Sequence, residues 1–203
     1  MTKPSAVILV ADGSEEIEFV TAFDVLVRAG FNVRSIAVRR ADAQSQNRVW
    51  VELSRGLKII PDQDGFANNN ADDIESDILI IPGGGPGAKT LSEDKVTLEL
   101  IHRCRREGKW IACICAGTTA LVASASSFPE QGKVKVTSHP CVKDEIVAKG
   151  WEYEEERVVV DGKVITSRGP GTALLWVLTI VELICGKEKR MEVEGPMITS
   201  TVL

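Results

Sequence analysis

Histidine and aromatic side chains are scarce in this chain, which has 2 His and only 5% Phe, Trp and Tyr in 203 residues. A core with so few rings must be built mainly from Val, Ile, Leu and Ala. Positive charge is not in excess either. Lys and Arg number 24 against 29 Asp and Glu, a net of −5. That argues against a nucleic-acid binder relying on bulk charge, although it leaves a local basic patch open. Long apolar runs are missing. The first, Ala6–Val10, is too short to span a bilayer, and no signal-type cleavage region follows it. Cysteine is limited to Cys104, Cys113, Cys115, Cys141 and Cys185. The number is odd, no CxxC pair occurs, and a chain of this size needs no covalent staples, so a reduced intracellular protein is expected. The closing Thr201-Val202-Leu203 matches no targeting tail. Cytosol is the default location, with the nucleus open to a protein this small.

What is present is ordinary for a globular protein: 44% apolar and 26% charged residues, which excludes disorder throughout. No internal repeat or long linker divides the chain, so one domain over residues 1–203 is expected. Short runs rich in Val and Ile recur at Ala6–Ala11, Val33–Val38, Asp77–Ile81, Trp110–Ile114 and Val134–Thr137. Such runs suit strands buried on both faces of a parallel sheet. Helical patterns fall between them at Glu15–Ala29, Ser92–Glu107, Ala116–Ser124, Cys141–Ala148 and Gly171–Cys185. Ser92 reads as a helix cap, and Gly30, Gly108 and Gly186 as stops. The alternation predicts an open, doubly wound α/β fold with a mostly parallel sheet. The stretch Ala41–Ala71 interrupts it. There, Trp50–Leu53 and Leu57–Ile60 read as a small strand pair around Ser54-Arg55-Gly56, and Asp62–Asp73 as loop. Arg157–Val160 and Lys163–Thr166 read as a hairpin about Asp161-Gly162.

In a parallel sheet the loops after the strand ends build the site. Those loops carry Asp12 to Glu18, Pro82 to Gly87, Cys115 to Thr119, and Ser138-His139-Pro140. A carboxylate, a thiol, an imidazole and free backbone amides thus converge at one edge. Cys115 sits at a strand-to-helix junction, where the small Ala116 and Gly117 permit the sharp turn of a nucleophile elbow. A helix start lowers a thiol pKa, so Cys115 is expected to carry thiolate character. The bland alternative is a buried structural cysteine. Cys113, Cys104 and Cys185 take that bland reading, and Cys141 is a secondary candidate for oxidation near the site. Glu15, Glu16 and Glu18 open a helix, where carboxylates are simply stabilising. One of them can instead face the site, and periodicity does not choose which. His139 stands at a strand end as a candidate base or orienting group. His102 falls among charged neighbours on a solvated helix face and gets no role. The run Gly83-Gly84-Gly85-Pro86-Gly87 fails both the GxxxxGK[ST] and the GxGxxG patterns, so backbone amides around an oxyanion fit it better than a phosphate. No compact ligand spacing supports a metal site.

Taken together these segments resemble the ThiJ/PfpI superfamily, in particular the branch of the parkinsonism-associated deglycase and the glutathione-independent glyoxalases (glyoxalase III). The matching stretches are Ala11 to Glu18, Ile81-Pro82-Gly83-Gly84, Ile114-Cys115-Ala116-Gly117, Thr137-Ser138-His139-Pro140 and Thr166 to Gly171, in family order. The resemblance implies a flavodoxin-like sandwich, a homodimer and no cofactor. It assigns the reactive thiolate to Cys115, the carboxyl touching the sulfur to Glu18, and a neighbouring role to His139. It puts the amides of Gly84 and Ala116 at the oxyanion position. Arg28 and Arg55 match arginines near the family's dimer interface and site entrance. Thr118 stands where the parkinsonism-associated protein has Pro, Gly85-Pro86 replaces Asn-Leu, and Gly56 replaces Asp. Ala41–Val49 and the tail after Arg190 match poorly. These departures bear on pocket shape more than on fold.

The implied activity is conversion of a small reactive aldehyde, methylglyoxal, to lactate through a Cys115 hemithioacetal with Glu18 as acid and base. Repair of early glycation adducts uses the same thiol chemistry. A redox-sensing stress protein or chaperone using oxidation of Cys115 is the alternative from a different class. A Cys–His hydrolase ranks last, because His139 shows no Asp or Glu partner in the sequence. Neither nucleic acid nor membrane is expected as a partner.

Overall fold

The computed structural model describes residues 3–40, 48–66 and 70–200. Strand β1 (Ser5–Val10) leads into helix α1 (Glu16–Arg28) and strand β2 (Asn32–Ala37). A small antiparallel pair follows, β3 (Val51–Glu52) with β4 (Lys58–Ile59), then the short β5 (Gln63–Asp64). Next come β6 (Ile78–Ile81), α2 (Gly85–Glu93), α3 (Lys95–Arg106), β7 (Trp110–Ile114) and α4 (Thr118–Ser127). The chain continues through α5 (Lys143–Ala148), the hairpin β8 (Val158–Asp161) and β9 (Val164–Ser167), α6 (Ala173–Cys185) and α7 (Lys187–Glu194). The main sheet has seven strands in the order β5-β2-β1-β6-β7-β9-β8, parallel except where β8 pairs with β9.

Both faces of this sheet are covered, which is why its strands read as unbroken apolar runs. Ala6, Ile8 and Val10 of β1 pack with α1 and α6, and the alternate Val7 and Leu9 pack with residues of α3 and α4. Crossovers on both faces bring the ends of β1, β6 and β7 to the same edge. The small pair β3–β4 leans over that edge, tied by Gly13 N–H to Glu52 O (2.8 Å) and Ser54 N–H to Ser14 O (2.8 Å).

Four expectations are corrected. Val134–Thr137 is not a strand of the sheet; it makes only an isolated bridge, Val136 with Tyr153. The place beside β7 belongs to β9, whose other edge is taken by β8. With the place beside β7 already filled, Thr137 donates its N–H to a side chain instead, Thr166 Oγ1 at 2.9 Å. The helix expected over Ser92–Glu107 is two helices, because Asp94 is extended (φ −78°, ψ 117°). Ser92 consequently caps nothing, and its hydroxyl donates to Lys89 O at 2.9 Å. Gly186 does close α6, yet a polar helix, α7, starts directly after it, without the apolar stripe that would have announced it. Within Asp62–Asp73, expected as loop, Gln63–Asp64 adds an edge strand to β2. Residues 41–47 of the poorly matching segment and 67–69 of that loop lie outside the described residues.

Candidate active site

Strand β7 delivers Cys115 to the carboxyl edge of the sheet. Ile114 is still extended (ψ 147°), and one tight turn, Cys115–Gly117, then feeds α4. The turn forces Cys115 to φ 61°, a left-handed conformation that a non-glycine residue rarely adopts. It also presses Gly117 onto the end of β6. A Cβ there would lie 2.5 Å from Pro82 O and 2.6 Å from Ile81 O, so the elbow requires glycine. Gly83 is equally confined. A Cβ on it would meet Cys115 Cβ at 2.5 Å and Glu18 Oε2 at 2.8 Å. The glycine loop therefore approaches the thiol and the carboxyl as closely as backbone can.

The three glutamates at the start of α1 have three different environments. Glu15 is the N-cap and accepts the Glu18 N–H at 2.9 Å, satisfying one orphan amide of the helix. Glu16 faces outward and accepts from Ser54 Oγ (2.6 Å) and from the Arg55 N–H, which tethers the β3–β4 pair. Burial acts to raise its pKa, but those hydrogen bonds outweigh it and leave it lowered. Glu18 turns inward and is fully buried. Its Oε2 accepts the Gly83 N–H at 2.7 Å, while Oε1 is buried with no hydrogen-bond partner of ordinary geometry among the described residues. Burial pushes the Glu18 carboxyl up to about 7, against the lowering effect of the Gly83 amide and the Cys115 thiol. A carboxyl in that range exchanges its proton near neutral pH.

The thiol departs from the sequence expectation. Helix-start amides were expected to lower it, and the amides of Ala116 and Gly84 do pull that way. Burial and the Glu18 carboxylate outweigh them, and the Cys115 thiol is pushed up to about 12. A proton on Glu18 cancels the repulsion and gives the sulfur a donor. Thiol and carboxyl therefore act as one unit in which the position of a single proton decides whether sulfur is nucleophilic. Cys104 is also pushed up, to about 11, by burial, and Cys113 is raised by burial inside β7. Neither faces the site.

His139 lies at the rim, half-buried, with Nδ1 accepting the Cys141 N–H at 3.2 Å. In the neutral ring this leaves the proton on Nε2. Thr118 ties the elbow to this segment, donating from Oγ1 to Thr137 O at 3.1 Å. Among the described residues no carboxylate contacts His139, so the third member of a hydrolytic triad is missing. The Ser167 to Gly171 motif is mostly scaffold: Ser167 Oγ meets Thr172 Oγ1 at 2.6 Å, Arg168 donates to Glu155 O at 2.9 Å, and Pro170 reaches the cavity. A cavity of about 650 Å³ joins Cys115, Ala116, Gly84 and His139. Its wall also includes Cys141, Arg55, Asp12 from the loop after β1, and Arg48, which sequence reasoning passed over. Arg48 lies outside the motifs read from the sequence, so none pointed to it. Arg28, by contrast, is exposed and pairs with Asp24 at 2.7 Å on the outside of α1. Among the described residues no group of three or more His, Cys, Asp or Glu converges as metal ligands would. Among the described residues no helix is long and apolar enough to cross a membrane.

Known proteins share this arrangement over nearly the whole chain. A Schizosaccharomyces pombe protein named glutathione-independent glyoxalase DJ-1 is 36% identical over 186 residues, 90% of this chain and 92% of its own. The Danio rerio Parkinson disease protein 7 homolog is 37% identical over 203 residues, covering 98% of both chains. The crystal structure of Drosophila melanogaster DJ-1beta superposes with a TM-score of 0.85 at 34% identity, covering 98% of this chain and 100% of that one. The fold is thus the flavodoxin-like sandwich of these structures. The pattern of the DJ-1/PfpI family matches residues 4–183, so the elbow cysteine, the buried glutamate and the glycine loop all fall within the match, and the chain belongs to the DJ-1/PfpI family.

Proposed function

We propose that this chain is a cofactor-free glyoxalase that converts methylglyoxal to lactate without glutathione. The observation that carries the reading is Glu18, fully buried beside Cys115 with its carboxyl pushed up to about 7. Such a group both takes and gives a proton at neutral pH, which the reaction requires. The Cys115 thiolate adds to the aldehyde carbon, and the aldehyde oxygen is protonated to give a hemithioacetal. Glu18 removes the proton from that carbon, forming an enediol, and returns it to the neighbouring ketone carbon. The product is a lactyl thioester. Water hydrolyses it, releasing lactate and restoring the thiol. The amides of Gly84 and Ala116 are aimed at the sulfur and its surroundings, where they can stabilise developing oxyanion charge. His139, without a carboxylate partner, orients the site or relays protons. The relatives named glutathione-independent glyoxalases support the reading. The test is lactate formation from methylglyoxal in the absence of glutathione. Wild type is expected to produce it and Cys115→Ser to produce none; lactate from Cys115→Ser at the wild-type rate would sink the proposal.

A second reading, redox sensing through Cys115, draws on the same pair, since a protonated Glu18 is a donor to an oxidised sulfur as well. Repair of early glycation adducts stays within the thiol chemistry above. We further propose one domain over residues 1–203, a cytoplasmic location and a homodimer through α1. Ile17, Val20 and Val27 are 53%, 45% and 49% exposed on that helix, and a self-complementary face of this kind suits a two-fold axis.

A further inference from the structure

The reaction proposed above leaves both arginines of the cavity wall, Arg48 and Arg55, unused. Arg48 is 19% exposed, and one of its Nη2 hydrogens goes to Asp12 Oδ2. Its Nε–H is buried and meets no acceptor among the described residues. The backbone holds the residue in place from two sides. Arg48 O accepts from Arg39 Nη2 at 2.9 Å, and Arg39 is itself anchored on Asp64 Oδ1 at 2.5 Å. Asp12, the partner of the guanidinium, is fixed by the Glu52 N–H on its Oδ1 at 2.9 Å. A positioned guanidinium in the wall of the cavity that holds the nucleophile, with Nη hydrogens beyond the one given to Asp12, is a receptor for an acceptor group. The other cation of the wall, Arg55, is exposed, and its guanidinium makes one weak contact, to Ser54 O at 3.3 Å. Solvent screens it far more. Of the carboxylates in the wall, Glu15 is committed to capping α1 and Glu52 lies 3.8 Å from Lys58. Neither competes for Arg48.

We propose that Arg48 is a specificity-determining residue: it binds a carboxylate on the far end of the electrophile while Cys115 engages the near end. The preferred substrates are then 2-oxoaldehydes that carry a carboxylate, over the neutral methylglyoxal. This rests on the glyoxalase reading for the reaction, but not for the recognition.

Recognition can be tested without turnover by alkylating Cys115 with an anionic and a neutral reagent of similar shape, iodoacetate and iodoacetamide. Both transfer a carbon to the thiolate and release iodide. Rates at Cys115 are read by peptide mapping in the full-length protein. Removing a partly buried cation should lower the iodoacetate-to-iodoacetamide rate ratio, so Arg48→Met is expected to reduce it by about fivefold or more. Asp12→Asn keeps the acceptor for Glu52 N–H but frees the guanidinium, and should raise the ratio by about twofold or more. Should Arg48→Met fail to fold, as circular dichroism would show, the Asp12→Asn result decides alone. A ratio unmoved by both variants, or by Asp12→Asn alone in that event, overturns the proposal. A shifted ratio in a protein that forms no lactate from methylglyoxal sustains Arg48 and removes the glyoxalase reading; lactate formation with an unmoved ratio does the reverse.

Discussion

At the scale of single residues, the proposed reaction turns on the proton of Glu18 beside Cys115. A carboxyl raised from its ordinary 4.5 to about 7 holds its proton longer in the folded chain than in the unfolded one. Between those values the folded state binds more protons, so stability falls as pH rises through the window and stays reduced above about 7. The shift corresponds to roughly 2–4 kcal/mol. Glu18→Gln removes this titration. Its stability relative to wild type should therefore improve between pH 5 and pH 8, as chemical denaturation at the two pH values would show; an equal difference at both would contradict the assignment. The same variant keeps a donor to the sulfur but cannot shuttle a proton. Glyoxalase turnover should fall about a hundredfold to ten-thousandfold, while Cys115 stays oxidisable. Glu18→Asp keeps the proton with a shorter reach and should retain intermediate activity. Turnover by Glu18→Gln within about threefold of wild type, well short of an acid–base loss, would favour the redox reading.

At the scale of elements, the elbow is coupled to the segment that carries His139. Thr118 opens α4, is fully buried, and spends its hydroxyl on Thr137 O, two residues before His139. Thr118→Val keeps the shape but leaves that buried carbonyl without the bond, at a cost of about 1–3 kcal/mol. For a chain of this length each kcal/mol lowers Tm by about 2–4 °C. Thr118→Ser keeps the donor and should lie near wild type in a thermal melt. Equal melting of Thr118→Val and Thr118→Ser would show that the bond does not hold the segment. The resemblance pointed to this position, where proline stands in a relative. Only the structure shows what a threonine does there.

At the scale of the whole molecule, helix α1 faces two ways. Phe19, Ala22, Val25 and Leu26 form its buried side, while Ile17, Val20 and Val27 stay in solvent. The exposed apolar side chains of the outward face supply the proposed dimer contact. Sedimentation at micromolar protein should give twice the monomer mass, and Val20→Lys should shift it toward monomer; a monomeric wild type would dismiss the contact. The alternation of apolar runs and helices, the two small hairpins and the convergence of four loops were all legible in the chain, because local periodicity and turn chemistry encode them. Val134–Thr137 misled because its composition suits a strand, whereas the place beside β7 goes to β9, a choice made by tertiary packing.

The sequence by itself determined the sandwich, the elbow at Cys115 and, through its family motifs, the choice of Glu18. These follow from short-range patterns: glycine where backbones must touch, small residues after the thiol, apolar runs where both faces are covered. Only the tertiary structure decided the protonation of the site and the makeup of its wall. The thiol is raised rather than lowered because burial and a neighbouring carboxylate outweigh two amides, and burial is set by every element packed above. Arg48 joins Asp12 in the cavity wall across 36 residues of chain, with Arg39 bonded to the Arg48 carbonyl and Glu52 to Asp12. Contacts between distant residues leave no local pattern, so folding alone brings that guanidinium to the cavity of the thiol.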